Sequence, residues 1–335
     1  MPKISYDAFK AKLMDPSVPE AEIARYLKAD PKASGPFDPR LTPDPKKVAM
    51  TPEGDFDVES AMRWGNAICR WRRQARFTDL IALGDKRPVL VSEGDSWFQF
   101  PFIIDEVVDQ LGSDYLIWSL DAAGDTADNM VNRRPEYFEG LQAQKPNKVA
   151  AFLFSAAGND VIGEDLDGKP VLARLLKPFS PGKDAIAHID QAVLAQILTR
   201  LEADYRKVVA TIRSDAAFRK LPILIHGYDY AIPGGQPGDP RKPIHARQDQ
   251  WLGRPLKDKG IVDAKLQRAI IRVLIDALYD MLAKVAGASA TTNIHLVNVR
   301  GTLTDVTDWA DELHGTSAGF AKVAKHFRKA LEKAL

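Results

Sequence analysis

The sequence has a single cysteine, Cys69, so it can form no internal disulfide and no zinc site built on cysteine thiolates. It also lacks an excess of charge: 46 Lys and Arg stand against 45 Asp and Glu, a formal net charge of +1. That balance gives no reason to expect nucleic acid or an anionic membrane surface as a partner. No stretch approaches the roughly 18 uninterrupted apolar residues of a membrane-spanning helix. The N-terminus carries Lys3, Asp7, Lys10, Lys12 and Asp15 where a secretory signal has its apolar run. A cytoplasmic protein is therefore expected, or one exported without such a signal, unless a signal has been trimmed. What is present is globular chemistry, with 45% hydrophobic and 27% charged residues, too apolar for a disordered chain. At 335 residues the chain holds two domains, or one large domain with an appendage.

Residues 1–85 read as a helical extension with no strand. Ser17 and Glu20 fit a capping box for a helix that has Pro19 in its first turn. Residues 31–52 hold six prolines, too many for regular structure, and read as a wrapping linker. A long helix is expected from Val58 to about Leu83, with Ala61, Trp64, Ile68, Trp71, Ala75 and Leu80 near one face. Its Arg70, Arg72, Arg73 and Arg76 read as a solvated face rather than a basic patch, since no other basic run reinforces them.

From Lys86 the pattern changes. Apolar runs at 88–93, 115–120, 148–155, 221–228 and 293–299 alternate with helical stretches around 102–111, 126–134, 187–213, 263–287 and 316–334. The runs are apolar on both faces, as strands of a buried parallel sheet must be. The alternation predicts a three-layer α/β/α domain over 86–335. Residues 160–186 and 229–260 are long for connections. The second, rich in Pro and Gly, reads as an excursion over the site.

In open parallel sheets the chemistry lies at the carboxyl ends of the strands. There the sequence offers Gly94-Asp95-Ser96-Trp97, then Gly124-Asp125-Thr126, Gly158-Asn159-Asp160, and finally Asp311-x-x-His314. Ser96 needs a base to become a nucleophile. His314 suits that task, and Asp311 three residues earlier can hold its imidazole. The backbone N–H groups of Ser96 and Gly124 and the Asn159 amide can serve as oxyanion donors. Asp95 and Asp160 read as carboxylates bonding loop N–H groups, and Asp125 and Thr126 as helix caps.

These blocks, in this order, resemble the SGNH (GDSL-type) hydrolases over about residues 86–335. The resemblance implies a flavodoxin-like sheet of five parallel strands and a serine ester hydrolase, of carboxylesterase or lipase type, with no cofactor. It implies Ser96 as nucleophile, Gly124 and Asn159 as oxyanion donors, His314 as base and Asp311 as its partner. Trp97 stands where the family name has leucine, which alters the pocket rather than the chemistry. The residues before Gly124, Asp121-Ala122-Ala123, lack the asparagine often seen in that block.

Trp97, His226 and Tyr228 are candidates for the substrate wall, although His226 also reads as a core histidine. Gly315-Thr316-Ser317-Ala318-Gly319 matches the G-x-S-x-G elbow of another hydrolase class, but no strand precedes it and no acid-then-histidine comes after it. Thr316 and Ser317 read instead as caps of the last helix. Gly163 to Pro170 nearly matches a phosphate loop, but Pro170 replaces the metal-binding Ser or Thr and three carboxylates interrupt it. It reads as a solvated loop, and no metal site is expected. Three rivals remain: a sugar or cell-wall O-acetylesterase on the same site, a retired hydrolase scaffold used as a binding module, and a nucleotide-dependent enzyme. The last is opposed by the absence of a glycine-rich phosphate loop after the first strand.

Overall fold

The five apolar runs form one parallel sheet in the computed structural model, which describes residues 3–29, 41–49, 61–163, 170–243 and 246–335. Its strands are β1 (Val89–Gly94), β2 (Leu116–Ser119), β3 (Ala151–Ser155), β4 (Ile223–His226) and β5 (Ile294–Val297), in the order β2-β1-β3-β4-β5. Every residue of β1, β3 and β4 is buried, which is why these runs show no polar alternation. β1 pairs with β2 on one side and with β3 on the other, where Gly94 lies opposite Ser155. The chain order reverses between β1 and β3, and the crevice at such a reversal is where an open α/β sheet binds ligands.

The helices that cover the sheet are α1 (Ala61–Ala82), α2 (Glu136–Ala143), α3 (Gln191–Ser214), α4 (Ala264–Ala286) and α5 (Ser317–Ala334). Alternate residues Phe152 and Phe154 of β3 meet Tyr137 of α2 and Tyr205 of α3. Phe77 of α1 stands edge-on to Trp118 of β2, and Phe327 of α5 packs on Phe98 and His226. Each such buried aromatic contributes roughly 1.5–3 kcal/mol of transfer free energy.

The N-terminal region differs from its sequence reading. Ile4–Ser5 pairs in parallel with Val48–Ala49, and Leu27–Ala29 pairs antiparallel with Leu41–Pro43. The expected helix after Ser17 is only Glu20–Ala24, capped at Pro19 without a side-chain bond. Most of the expected linker, and Val58, lie outside the described residues.

The four arginines of α1 do not form the solvated face expected: Arg72 and Arg73 are buried, Arg70 and Arg76 half-buried, and all four are hydrogen-bonded. Arg72, fully buried, donates to the carbonyls of Lys12, Leu13, Asp15 and Val18. Arg73 binds Glu106, Asp109 and the Phe98 carbonyl. Arg76 reaches the Pro16 carbonyl, and Arg70 reaches Glu136 and the Leu120 carbonyl. A charge buried this deeply is tolerable only when it is paired; here it fastens the extension to the sheet domain.

The excursion is also less loop-like than its composition suggests. Residues 253–258 are helical, and Trp251, Leu252, Leu256 and Ile261 join Leu172, Leu175, Ile189 and Ile270 in a second apolar cluster.

Candidate active site

β1 must end in glycine. A Cβ on Gly94 would stand 2.7 Å from the Phe98 ring and 2.8 Å from Ser155 Cβ, closer than packed atoms allow. The next turn is organised by Asp95, whose carboxylate accepts the Trp97 N–H and the hydroxyls of Ser155 and Tyr228. Burial pushes the Asp95 carboxyl up to about 6, while those three donors pull the other way. Tyr228 sits at φ 67, a conformation rare for a bulky residue, and its hydroxyl also accepts the Gly158 N–H at 2.8 Å. One phenol thus ties the loop after β1 to the loop after β3.

Ser96 projects from this turn onto His314, with 2.8 Å between Oγ and Nε2. On the far side of the ring, Nδ1 lies 2.7 Å from Asp311 Oδ2. Asp311 Oδ1 accepts the backbone N–H groups of Leu313 and His314 at 2.6 and 2.8 Å. A carboxylate can only accept, so Nδ1 carries a proton and Nε2 presents a lone pair to Ser96. The loop bearing both residues closes on itself, since Trp309 pairs with Gly315 and the Ala310 N–H donates to the His314 carbonyl. All three side chains are buried. The His314 ring lies 4.4 Å from the ring of Phe100 and 6.0 Å from that of Trp251. This arrangement can lift a proton from Ser96 and return it to a leaving group.

Asn159, from the loop after β3, donates Nδ2 to the Asp125 carbonyl at 2.6 Å. That bond fixes the amide plane and leaves its second N–H without a partner among the described residues. The backbone N–H groups of Ser96 and Gly124 likewise donate to nothing among the described residues. Gly124, at φ +80, lines a neighbouring polar cleft with Asn66, Arg70 and Trp71 rather than the cavity at Ser96. It is one residue from the Asp125 carbonyl that anchors Asn159. Asn66 of α1 brackets Ala123 on this loop, accepting its N–H and donating to its carbonyl, both at 3.0 Å. Nothing in the sequence marked Asn66 for that task.

Ser96, Asn159 and His314 open onto a cavity of about 70 Å³. Apolar side chains line it as well: Val161, Leu194 and Leu198, with Leu274 and Leu278 of α4. Trp97 and Tyr228 also line it. Trp97 is anchored by Nε1 donating to the Leu313 carbonyl at 3.0 Å. His226 does not reach it. Fully buried and stacked on Phe98, His226 holds Nε2 at 2.7 Å from Ser155 Oγ. Burial lowers its pKa to about 3, so it stays a neutral core residue.

Asp160 accepts the Ala127 N–H and pairs with Arg200, and Asp125 and Thr126 accept bonds from the turn after them. Thr316 caps α5, and Ser317 Oγ accepts the Asp105 N–H, away from His314. Residues 164–169 of the near phosphate loop lie outside the described residues. No group of three or more His, Cys, Asp or Glu is placed to hold a metal among the described residues, and none of their helices is long and apolar enough to cross a membrane.

The sequence reading missed Glu312. Fully buried between Asp311 and His314, its carboxylate accepts four backbone N–H groups of the excursion, from Gly234, Trp251, Leu252 and Gly253. Arg241 of the same segment donates to the Asp311 carbonyl. The excursion is thereby bolted to the loop that carries Asp311 and His314. Burial pushes Glu312 from 4.5 up to about 7, against the pull of those N–H groups. Its folded value lies above the unfolded one, so the associated stability is complete below about pH 4.5 and lost as pH rises through about 7. Relative to Glu312→Gln, the wild type should lose roughly 2–3 kcal/mol between pH 5 and 8. Urea unfolding of both proteins at the two pH values measures this, and parallel pH dependences would refute it.

No family model and no curated protein matches the chain. Solved structures do match. A candidate platelet activating factor from Streptococcus pneumonia is 15% identical with a TM-score of 0.44, the match covering 82% of this chain and 96% of that one. An extracellular lipase from Streptomyces rimosus is 14% identical with a TM-score of 0.44, covering 72% and 99%. An acetyl xylan esterase is 13% identical with a TM-score of 0.38, covering 72% and 98%. Identities this low transfer no substrate and no residue role.

Proposed function

We propose that the protein is a serine ester hydrolase acting through an acyl-enzyme. The observation that carries this reading is the unbroken hydrogen-bonded line from Asp311 through His314 to Ser96, ending at an apolar cavity. Ser96 Oγ attacks the ester carbonyl as its proton moves to Nε2 of His314. The tetrahedral oxyanion is met by the Ser96 N–H and by the Asn159 N–H that has no partner among the described residues, while Gly124, in the neighbouring cleft, supports the loop whose Asp125 carbonyl holds Asn159. Collapse breaks the bond to the leaving oxygen, which takes the proton from His314. Water, deprotonated by the same imidazole, then releases the acid and restores Ser96.

The cavity takes the acyl group and limits its length. At about 70 Å³ it is half the size of an engineered apolar cavity of about 150 Å³ that holds benzene. Acyl chains of about two to four carbons are the expected fit by that comparison. Among p-nitrophenyl esters from acetyl to palmitoyl, kcat/KM should peak at this short end. An optimum at eight carbons or more, or no turnover of any ester, would overturn the assignment of cavity or reaction respectively. Asn159→Ala should lower kcat by about 10²–10³-fold with KM little changed, the loss typical of one oxyanion donor. An equal change in KM with kcat preserved would make Asn159 a ground-state contact instead.

A further inference from the structure

Beside the catalytic cavity lies a second, larger cleft of about 810 Å³, and the two share a wall: Asp229 and Ala231 line both. One side of this cleft is a face of α4 that places Lys265, Arg268 and Arg272 on successive turns. Arg272 lies 4.0 Å over the ring of Tyr230, which lines the cleft with it, and that stacking holds the guanidinium flat while leaving its N–H groups to point outward. Two carboxylates line the cleft with these three cations, and each is held by backbone N–H groups rather than by a cation. Asp229 turns its carboxylate away to accept the N–H groups of Tyr230, Gly301 and Leu303. Asp184, which also lines the cleft, accepts the Ala187 N–H. Lys265, Arg268 and Arg272 have no hydrogen-bond or ion-pair partner among the described residues, whereas each arginine of α1 is tied to a carbonyl or carboxylate. Three cations without a partner among the described residues outnumber the two carboxylates of the same cleft, which leaves this concave surface beside Ser96 locally positive and attractive to an anion.

We propose that this cleft binds the phosphate of a phosphorylated leaving group, so that the preferred substrate is a short-chain ester or thioester with a phosphate on its alcohol or thiol side. This rests on the ester-hydrolase reading. The acyl cavity holds one end of the substrate, and the remainder crosses the Asp229–Ala231 wall to reach the cations. Guanidinium groups match phosphate oxygens in geometry as well as charge.

Two matched pairs of probes test the proposal and separate the sources of the phosphate. Butyryl-coenzyme A is compared with S-butyryl-N-acetylcysteamine, and 1-butyrylglycerol 3-phosphate with 1-butyrylglycerol. In at least one pair the phosphorylated member should have a kcat/KM higher by about tenfold or more, the sum of three modest exposed charge contacts. That ratio should fall toward one in Lys265→Ala/Arg268→Ala/Arg272→Ala and as salt is raised. Calorimetric titration of the wild type with coenzyme A and with glycerol 3-phosphate, neither of them an ester, reads the cleft without turnover. Binding that the triple variant loses supports the site. If neither ligand binds, or the variant binds as well as the wild type, the anion site is refuted. Equal kcat/KM within both pairs refutes the leaving-group assignment while the hydrolase reading stands. Binding without turnover of any member refutes the hydrolase reading while the anion site stands.

Discussion

Replacing Ser96 with alanine is expected to lower kcat by about 10⁴–10⁶-fold, the range for loss of a nucleophile that works as one unit with its base. The residual rate would come from the oxyanion donors and the acyl cavity, neither of which contains the Ser96 hydroxyl oxygen. The fold should survive. The substitution deletes one atom and one hydrogen bond, the 2.8 Å contact to His314, at a cost of about 1 kcal/mol. A fluorophosphonate probe should label wild-type protein at Ser96 and leave Ser317 unmodified. The two hydroxyls differ in their partners: Ser96 faces an imidazole lone pair, whereas Ser317 accepts a backbone N–H at the start of α5. Full activity in Ser96→Ala, or labelling at Ser317, would end the assignment.

The sheet and the edge at which Ser96 meets His314 were legible in the sequence for one reason. A parallel sheet buried on both faces leaves continuous apolar runs, and the residues just after each run must lie at one edge. Five runs therefore predicted both the strands and the meeting of Ser96, Asn159, Asp311 and His314. Residues that act through the backbone were not legible. Asn66, Glu312 and Arg241 hold main-chain N–H and C=O groups, and any residue type can present those, so no side-chain pattern announces the partner. The α1 arginines were misread because their spacing is that of a solvated helix face. Only the carbonyls of residues 12–18, dozens of positions away, show that the face is covered. The N-terminal strands of two or three residues are too short for alternation to register. α2 was missed as well: it buries only Tyr137, Gly140 and Leu141 of its eight residues, too little for a helical period.

The position of His226 at the end of β4, beside Tyr228, suited either the core or the substrate wall, and backbone geometry decides between them. Tyr228 turns through a left-handed φ and points its phenol at Asp95. His226, two residues earlier and still in the strand, stays beneath it with its ring on Phe98. The two rings still touch edge-on at 5.1 Å, and it is the left-handed turn at Tyr228, just past the end of the strand, that gives them different hydrogen-bond partners.

Asp311→Asn should lower kcat by up to about 10⁴-fold, the loss seen when the same change is made in this constellation on an unrelated fold. The local geometry argues for a value near that limit. Asp311 Oδ1 accepts two backbone N–H groups, from Leu313 and His314, so an asparagine keeps its carbonyl oxygen there. Its NH₂ must then face Nδ1 of His314 in place of the carboxylate oxygen. Two donors cannot share one hydrogen bond, so Nδ1 gives up its proton and the imidazole carries it on Nε2 instead. A protonated Nε2 points a donor at Ser96 and can no longer accept the hydroxyl proton. The nucleophile is left beside a base of the wrong tautomer. Asp305 and Asp308 offer no substitute, since Asp305 caps Thr307 and Asp308 is paired with Lys322. The variant should fold normally, because the two backbone bonds survive, and combining it with Ser96→Ala should add little to the loss from Ser96→Ala alone. An Asp311→Asn enzyme with the wild-type rate would show that the imidazole keeps its tautomer without the carboxylate, and Asp311 would then be only a brace for the loop.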